Sequence, residues 1–212
     1  MIVIGFILFF YLIGSIPFGL ILTRLAGLGD LRSIGSGNIG ATNVLRTGNK
    51  GLAALTLIFD TAKAWVPMVF LMNAQDDFPD PFQDPFFGLA LWIVGFSVVL
   101  GHCFPVFLRF RGGKGVATTL GVYTGMDPVL GACFAFLWLG VALAFRYSSL
   151  AALVTVICMP LVFMAYTTSP NSWDVLPLVA ISLLVIWRHK DNIRRLKQGQ
   201  ESPIRLKKAP VP

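Results

Sequence analysis

Long apolar runs separated by short polar stretches organise this chain. The first run covers roughly Ile2 to Leu22 and is interrupted by Gly14-Ser15-Ile16-Pro17, where Pro17 removes a backbone donor and should kink a helix. A polar, glycine-rich loop follows from Arg24 to Lys50. The second run, about Leu52 to Met72, carries Asp60 and Lys63 inside it. An acidic, proline-rich loop with Asp76, Asp77, Asp80 and Asp84 leads to a third run from about Phe86 to Leu108. Gly115 to Met126 is apolar but short, roughly 18 Å as a helix against a hydrocarbon core of about 30 Å. Pro128 then opens a run to Phe145, Ser149 to Tyr166 forms the next, and Val175 to Trp187 is the last. A short basic tail, about 190–212, closes the chain.

This pattern predicts an all-α polytopic membrane protein, with one parity to decide: whether Gly115 to Met126 crosses. Charge decides it. If the stretch crosses, every Lys and Arg except Lys63, which lies inside a span, falls on one face. The opposite loops then hold Asp76, Asp77, Asp80, Asp84, Asp127 and Asp174. If it does not cross, Arg146 and the tail with Arg188, Lys190, Arg194, Arg195 and Lys197 move to the acidic face, against the positive-inside rule. The expectation is seven transmembrane helices with the fourth short, the N-terminus outside, the C-terminus cytoplasmic, and one domain over 1–212. The last span is also short and needs bilayer thinning or burial by its neighbours. The first run lacks a basic n-region and a small-residue cleavage site, so it reads as a retained span.

Composition adds exclusions. At 56% hydrophobic, 13% charged and a mean hydropathy of +0.75, the chain is too apolar for a soluble domain of its size. The net charge of +7 is dispersed over many short loops, which fits membrane orientation and not a nucleic-acid stripe. Cys103, Cys133 and Cys158 lie within or at the ends of apolar runs without CxxC spacing. They read as reduced, packed thiols; no metal site and no cofactor are expected.

Under this topology three polar clusters share a face. The first is Gly35-Ser36-Gly37-Asn38-Ile39-Gly40-Ala41-Thr42-Asn43, followed by Arg46: either the lining of a polar pocket or a flexible connector. The second is the turn Gly112-Gly113-Lys114-Gly115, which opens an apolar helix through Val116, Ala117 and Thr118. Glycine amides, a helix N-terminus and the Lys114 charge together make an anion site, although the spacing is not that of a nucleotide P-loop. By itself the turn is equally a basic loop. The third is His189-Lys190-Asp191-Asn192 through Glu201, where helical spacing sets His189 and Asn192 on one face. Most of its cations read as a juxtamembrane helix touching anionic lipid.

Smaller features sit beside these clusters. In Arg146-Tyr147-Ser148-Ser149, Ser148 is placed to cap a helix and Ser149 to point into the pocket. Asp60 and Lys63, at i and i+3, can pair; either they serve the polar site or they form a structural ion pair. His102 either lines the site or hydrogen-bonds a backbone carbonyl beneath the glycine turn.

The runs GSGNIGATNVLR, GHCFPVFLRFRGGKGVAT, RYSSLA and HKDNIRRLKQGQE resemble, in order, the motifs of the bacterial acyl-phosphate:glycerol-3-phosphate acyltransferases, and GSIPFG in the first span is similar to that family's pattern. The resemblance spans nearly the whole chain. It implies a seven-helix enzyme of the bacterial inner membrane, with its active site on the cytoplasmic side. The reaction implied acylates the 1-hydroxyl of glycerol 3-phosphate from an acyl phosphate, giving lysophosphatidic acid and inorganic phosphate. Expected partners are these substrates and membrane lipid, with no nucleic acid, and the working unit is expected to be a monomer.

On this reading Ser36, Lys114, His189 and Asn192 are the catalytic candidates. Gly37, Asn38, Thr42, Asn43, Arg46, Gly112, Gly113, Gly115, Thr118, Ser149 and Glu201 are the substrate-binding ones. Lys114 and the glycine amides would hold the donor phosphate, while Arg46, Ser36 and Asn192 orient glycerol phosphate. His189 would act as base or as an anchor for the hydroxyl. The chain has neither an His-x4-Asp pair nor a Gly-x-Ser-x-Gly elbow, so direct transfer in a ternary complex is expected. The rival reading is a transporter of an organic anion or phosphate, and a third is a non-catalytic lipid-binding or assembly factor. Against transport, no internal repeat is visible and the polar clusters crowd one face.

Overall fold

The computed structural model describes residues 2–73, 85–167 and 172–204. Among them there is no strand; ten helices carry the chain, α1 (Ile2–Gly14), α2 (Phe18–Leu25), α3 (Ala41–Leu45), α4 (Lys50–Asn73), α5 (Pro85–Cys103), α6 (Val116–Met126), α7 (Pro128–Phe145), α8 (Ser148–Tyr166), α9 (Ser172–Arg188) and α10 (Lys190–Lys197). Short 3-10 turns stand at Leu31–Ser33 and Val106–Leu108. The acidic loop from Asp76 to Asp84 lies outside the described residues.

Among the described residues, five segments are long and apolar enough to cross a membrane: Ile4–Leu25, Lys50–Asn73, Gly88–Leu108, Pro128–Phe145 and Ser148–Tyr166. The first holds a full break instead of a kink. Without an N–H at Pro17 the chain leaves the helix after Gly14 and restarts at Phe18. The break is pinned from inside, because the Ser15 hydroxyl donates to the Tyr11 carbonyl at 2.9 Å. Gly14 lies so close to the Val98 backbone, and Gly101 to the Tyr11 carbonyl, that a Cβ at either would overlap the other helix. Small residues thus let α1 and α5 pack backbone to backbone. The last apolar helix is longer than expected, since α9 extends from Ser172 to Arg188.

The short helix α6 is the interior of the bundle. Thr118, Thr119, Gly121, Val122, Tyr123, Gly125 and Met126 are all buried, with α4, α5 and α7 packed around them. Trp92 sits edge-on to Tyr123 and to Phe163, both at 5.4 Å, and Tyr123 tilts against Phe134 at 5.8 Å. A helix sheathed by protein need not match the bilayer, and α6 has only eleven residues. The outer surface carries Phe6, Phe9, Phe70, Phe136, Leu143, Leu161 and Leu183, an exposed apolar coat that suits lipid contact.

Helices α6, α7 and α8 reverse direction in turn. Asp127 caps α7 by accepting from the Val129 N–H at 2.6 Å, and it also accepts from the Tyr166 hydroxyl at 2.9 Å. The α6–α7 corner and the end of α8 therefore meet. At the other end the Ile204 N–H donates to the Arg146 carbonyl at 2.7 Å, and the hydroxyls of Thr42 and Ser148 lie 3.1 Å apart. The loop before α3, the start of α6, the α7–α8 junction and the α9–α10 junction gather at this one end.

Candidate active site

The first polar loop is built around one buried amide. Asn43, 1% exposed, donates through Nδ2 to the carbonyls of Leu31 (3.1 Å), Ile34 (2.9 Å) and Asn38 (2.7 Å). Its Oδ1 accepts from the backbone N–H of Ser36 at 3.1 Å and faces the Ser36 hydroxyl at 3.3 Å. The Asn43 side chain is thus committed to shaping the loop. Gly35, Ser36 and Gly37 stay exposed, and Arg46, at the end of α3, is exposed beside them. The loop rests on α2 through Gly19, where any Cβ would strike the Ile39 carbonyl.

The glycine turn is held from behind and from above. The Gly113 N–H donates to the His102 carbonyl at 3.0 Å, and Gly115 (φ +85°) takes the left-handed conformation that opens α6. The first-turn amides of α6 have no intrahelical acceptor and present partial positive charge. Arg188, at the end of α9, clamps the turn: Nε donates to the Gly113 carbonyl at 2.9 Å and Nη2 to the Gly112 carbonyl at 2.7 Å. Its guanidinium also lies over the Phe104 ring, 5.3 Å from the centroid.

Lys114 reaches from this turn to α10, where Nζ donates to Asn192 Oδ1 at 2.5 Å. Burial of the ammonium pulls its pKa from the ordinary 10.5 down to about 8. Glu201 opposes that shift, whereas Arg195, Arg46 and Arg188 press in the same direction, so four cations crowd one spot. Such crowding suits an anionic guest. Glu201 closes the cluster: Oε1 accepts from Ser149 Oγ (2.9 Å) and Asn192 Nδ2 (2.7 Å), and Oε2 accepts from Arg195 Nε (2.8 Å). Burial alone would raise its pKa, but these hydrogen bonds outweigh burial and hold the carboxyl below its usual range.

His189, 3% exposed, has Nδ1 at 2.7 Å from the Val185 carbonyl. A carbonyl only accepts, so Nδ1 carries the proton and Nε2 keeps its lone pair. Burial first, and then the Lys114 charge, push this imidazole down to about 4. At neutral pH it is an uncharged acceptor of low basicity.

The chain matches the family model described as glycerol-3-phosphate acyltransferase over residues 4–199. It is 49% identical over 201 residues to "Glycerol-3-phosphate acyltransferase 1" of Rhizobium johnstonii, covering 93% of this chain and 89% of that one. It is 50% identical over 204 residues to the glycerol-3-phosphate acyltransferase of Brucella anthropi, covering 96% and 94%. The chain belongs to the glycerol-3-phosphate acyltransferase family. Two crystal structures of PlsY, an integral membrane glycerol 3-phosphate acyltransferase, superpose on it. The glycerol 3-phosphate form does so with a TM-score of 0.83 at 36% identity, covering 96% of each chain. The lysophosphatidic acid form gives 0.82 at 34% identity, covering 96% of this chain and 95% of that one. Transport and mere lipid binding are set aside by these matches.

In this acyltransferase the structure brings Lys114, Asn192, Ser149 and Glu201 into one hydrogen-bonded chain, with Arg46 near enough to act on Lys114. Thr118 is buried in the first turn of α6, and its hydroxyl has no partner among the described residues. Thr42 bonds Ser148, which does not cap α8; Tyr147 holds that position without a side-chain cap. Asn38, part-buried, gives its carbonyl to Asn43. Two residues that sequence reasoning left among generic cations matter here, Arg188 and Arg195. Nothing local marks Arg188, because both of its acceptors lie more than seventy positions earlier in the chain.

Proposed function

We propose that the chain transfers a fatty acyl group from acyl phosphate to the 1-hydroxyl of glycerol 3-phosphate, releasing lysophosphatidic acid and inorganic phosphate. The observation that carries this reading is the junction of Lys114 and Asn192 at the N-terminus of α6, crowded by Arg46, Arg188 and Arg195. Such a site grips phosphate, and both substrates carry one. Lys114 and the α6 amides hold the donor phosphate. Arg46, Ser36 and Asn192 orient glycerol phosphate, with Gly35 and Gly37 leaving room for it. Asn43, Ser149 and Glu201 shape the walls. Spans of this composition supply a bilayer-facing slot for the acyl tail.

The transfer is direct. The hydroxyl oxygen attacks the acyl carbonyl carbon, the bond from that carbon to the phosphate oxygen breaks, and the phosphate leaves. The hydroxyl proton goes to a phosphate oxygen of a substrate. The low basicity of His189 supports this route over a protein base, because a group with a pKa of about 4 is a poor proton acceptor at neutral pH. His189 instead accepts a hydrogen bond through Nε2 and so positions the hydroxyl. Proximity contributes up to about 7–11 kcal/mol in such reactions, and the cations stabilise the developing oxyanion and the leaving phosphate.

We read the topology as seven crossings, with α6 the fourth, the N-terminus outside and the site on the cytoplasmic side of the bacterial plasma membrane. The reversal of α6, α7 and α8 supports this, as does the grouping of basic loops at the site's end. We read the chain as one domain acting as a monomer. Purified protein in detergent tests the reading: inorganic phosphate should be released only when acyl phosphate and glycerol 3-phosphate are both present. Phosphate release from acyl phosphate alone, or equal transfer from acyl-CoA, would refute it.

A further inference from the structure

Three ionisable groups are buried where the reaction just described does not use them. Asp60 and Lys63 on α4 and His102 on α5 are 2%, 6% and 5% exposed. Lys63 Nζ lies 2.9 Å from Asp60 Oδ1 and 2.9 Å from His102 Nδ1, and it donates to the Ile16 carbonyl at 3.0 Å. The ammonium hydrogen-bonds the Ile16 carbonyl and His102 Nδ1, and it meets Asp60 Oδ1 as an ion pair outside hydrogen-bond geometry. Because Lys63 only donates, His102 Nδ1 accepts and its proton sits on Nε2. Asp60 and Lys63 balance each other and the imidazole is uncharged, so the cluster is neutral. Buried charges are costly, and a neutral cluster of paired groups is the form in which they persist.

What the cluster touches is informative. On one side the imidazole is packed against Gly113 so tightly that a Cβ there would overlap Nε2 and stand 2.8 Å from Cε1. His102 also gives its carbonyl to the Gly113 N–H. On the other side Lys63 holds the carbonyl at the α1–α2 break, and α2 carries the first polar loop through the contact of Gly19 with Ile39. Lys63 is thus the joint between the two loops that face phosphate: one arm leads through His102 to the Lys114 turn, and the other through Ile16 and α2 to the Ser36–Arg46 loop.

We propose that Asp60, Lys63 and His102 are positioning residues that fix the spacing between the two phosphate-gripping loops, and so the alignment of donor and acceptor. The inference rests on the reading of those loops given above. An error of about 1 Å in such alignment costs on the order of a hundredfold in rate. Misalignment after both substrates have bound lowers kcat and leaves KM nearly unchanged. A merely structural ion pair predicts lost stability and, in protein that stays folded, normal kcat.

The test uses the paired variant Asp60→Asn/Lys63→Met, which removes both charges together and so avoids leaving one buried alone. We expect its thermal midpoint in detergent to stay near wild type, kcat to fall roughly ten- to hundredfold, and both KM values to stay within about threefold. His102→Asn is the second variant; its amide can still meet Lys63 but leaves the space beside Gly113 empty, and it should show the same split. A folded variant with kcat within about twofold of wild type, or one with raised KM and normal kcat, overturns the proposal. So does unfolding of both variants, which would make the cluster a structural requirement only. Wild-type protein run in the same assay separates the two claims: no turnover of acyl phosphate there refutes the donor and not the positioning role.

Discussion

Lys114→Arg probes the charge at the centre of the site. The Lys114 ammonium is pulled down to about 8, chiefly by burial. If turnover needs the charged form, the rate should be half-maximal near pH 8 and fall about tenfold for each further unit. The sign follows from a base with a lowered pKa: the cation is complete well below 8 and lost as pH rises through it. Substrate phosphates titrate near 6 and therefore do not produce this limb. Arginine stays charged throughout the range, so the limb should vanish in Lys114→Arg. The variant should also be slower at pH 7, because a guanidinium fork cannot replace the single short bond to Asn192 Oδ1. Hydrogen bonds to charged groups contribute about 1.5–3 kcal/mol, which corresponds to a loss of roughly thirtyfold. Glu201 is a neighbour that raises the Lys114 pKa, so Glu201→Gln should move the limb below 8. Initial rates of phosphate release between pH 6 and about 9.5, spanning the pKa values involved, measure all three. An alkaline limb that survives in Lys114→Arg would refute Lys114 as its source.

Four further outcomes follow from the same geometry. His189→Ala should raise the KM for glycerol 3-phosphate more than it lowers kcat, because the ring positions a hydroxyl and is too weak a base to take its proton; a collapse of kcat at unchanged KM, read from steady-state kinetics, would contradict this. Asn43→Asp should be worse than Asn43→Ala in thermal unfolding, since a carboxylate set against three carbonyl oxygens repels where the amide donated. Arg188→Lys should cost at least tenfold in kcat, because one ammonium on a flexible stem does not reproduce the fork spanning two carbonyls. Gly113→Ala should be inactive, given the overlap with His102, whereas Gly140→Ala, which has nothing within 4 Å, should keep full turnover and gain up to about 1 kcal/mol of stability.

The apolar runs located the helices well because hydrocarbon imposes a local rule on every span. Their ends shifted where the rule stops being local. The first run breaks fully at Pro17 because Lys63, from another helix, is there to take the Ile16 carbonyl. The length of α6 was legible, but that α4, α5 and α7 enclose it is a fact of packing that no window of eleven residues contains. In the site, glycines and cations were legible as anion-binding chemistry. Their division of labour was not. Asn43 reads as a ligand in sequence, and its stapling of the loop was not legible, since its five contacts depend on how that loop folds. Asp60 and Lys63 were legible as a pair from their spacing. Their third member, His102, is thirty-nine positions beyond Lys63 and comes beside it only through the packing of α4 on α5.

The central claim, that one pocket grips two phosphorylated substrates and passes the acyl group straight between them, is tested most directly by rapid mixing of the purified protein with labelled acyl phosphate alone. Direct transfer predicts no phosphate release and no label on the protein until glycerol 3-phosphate is added. A burst of phosphate matching the enzyme concentration, with label retained on the protein, would mean a covalent acyl-enzyme and would contradict the account.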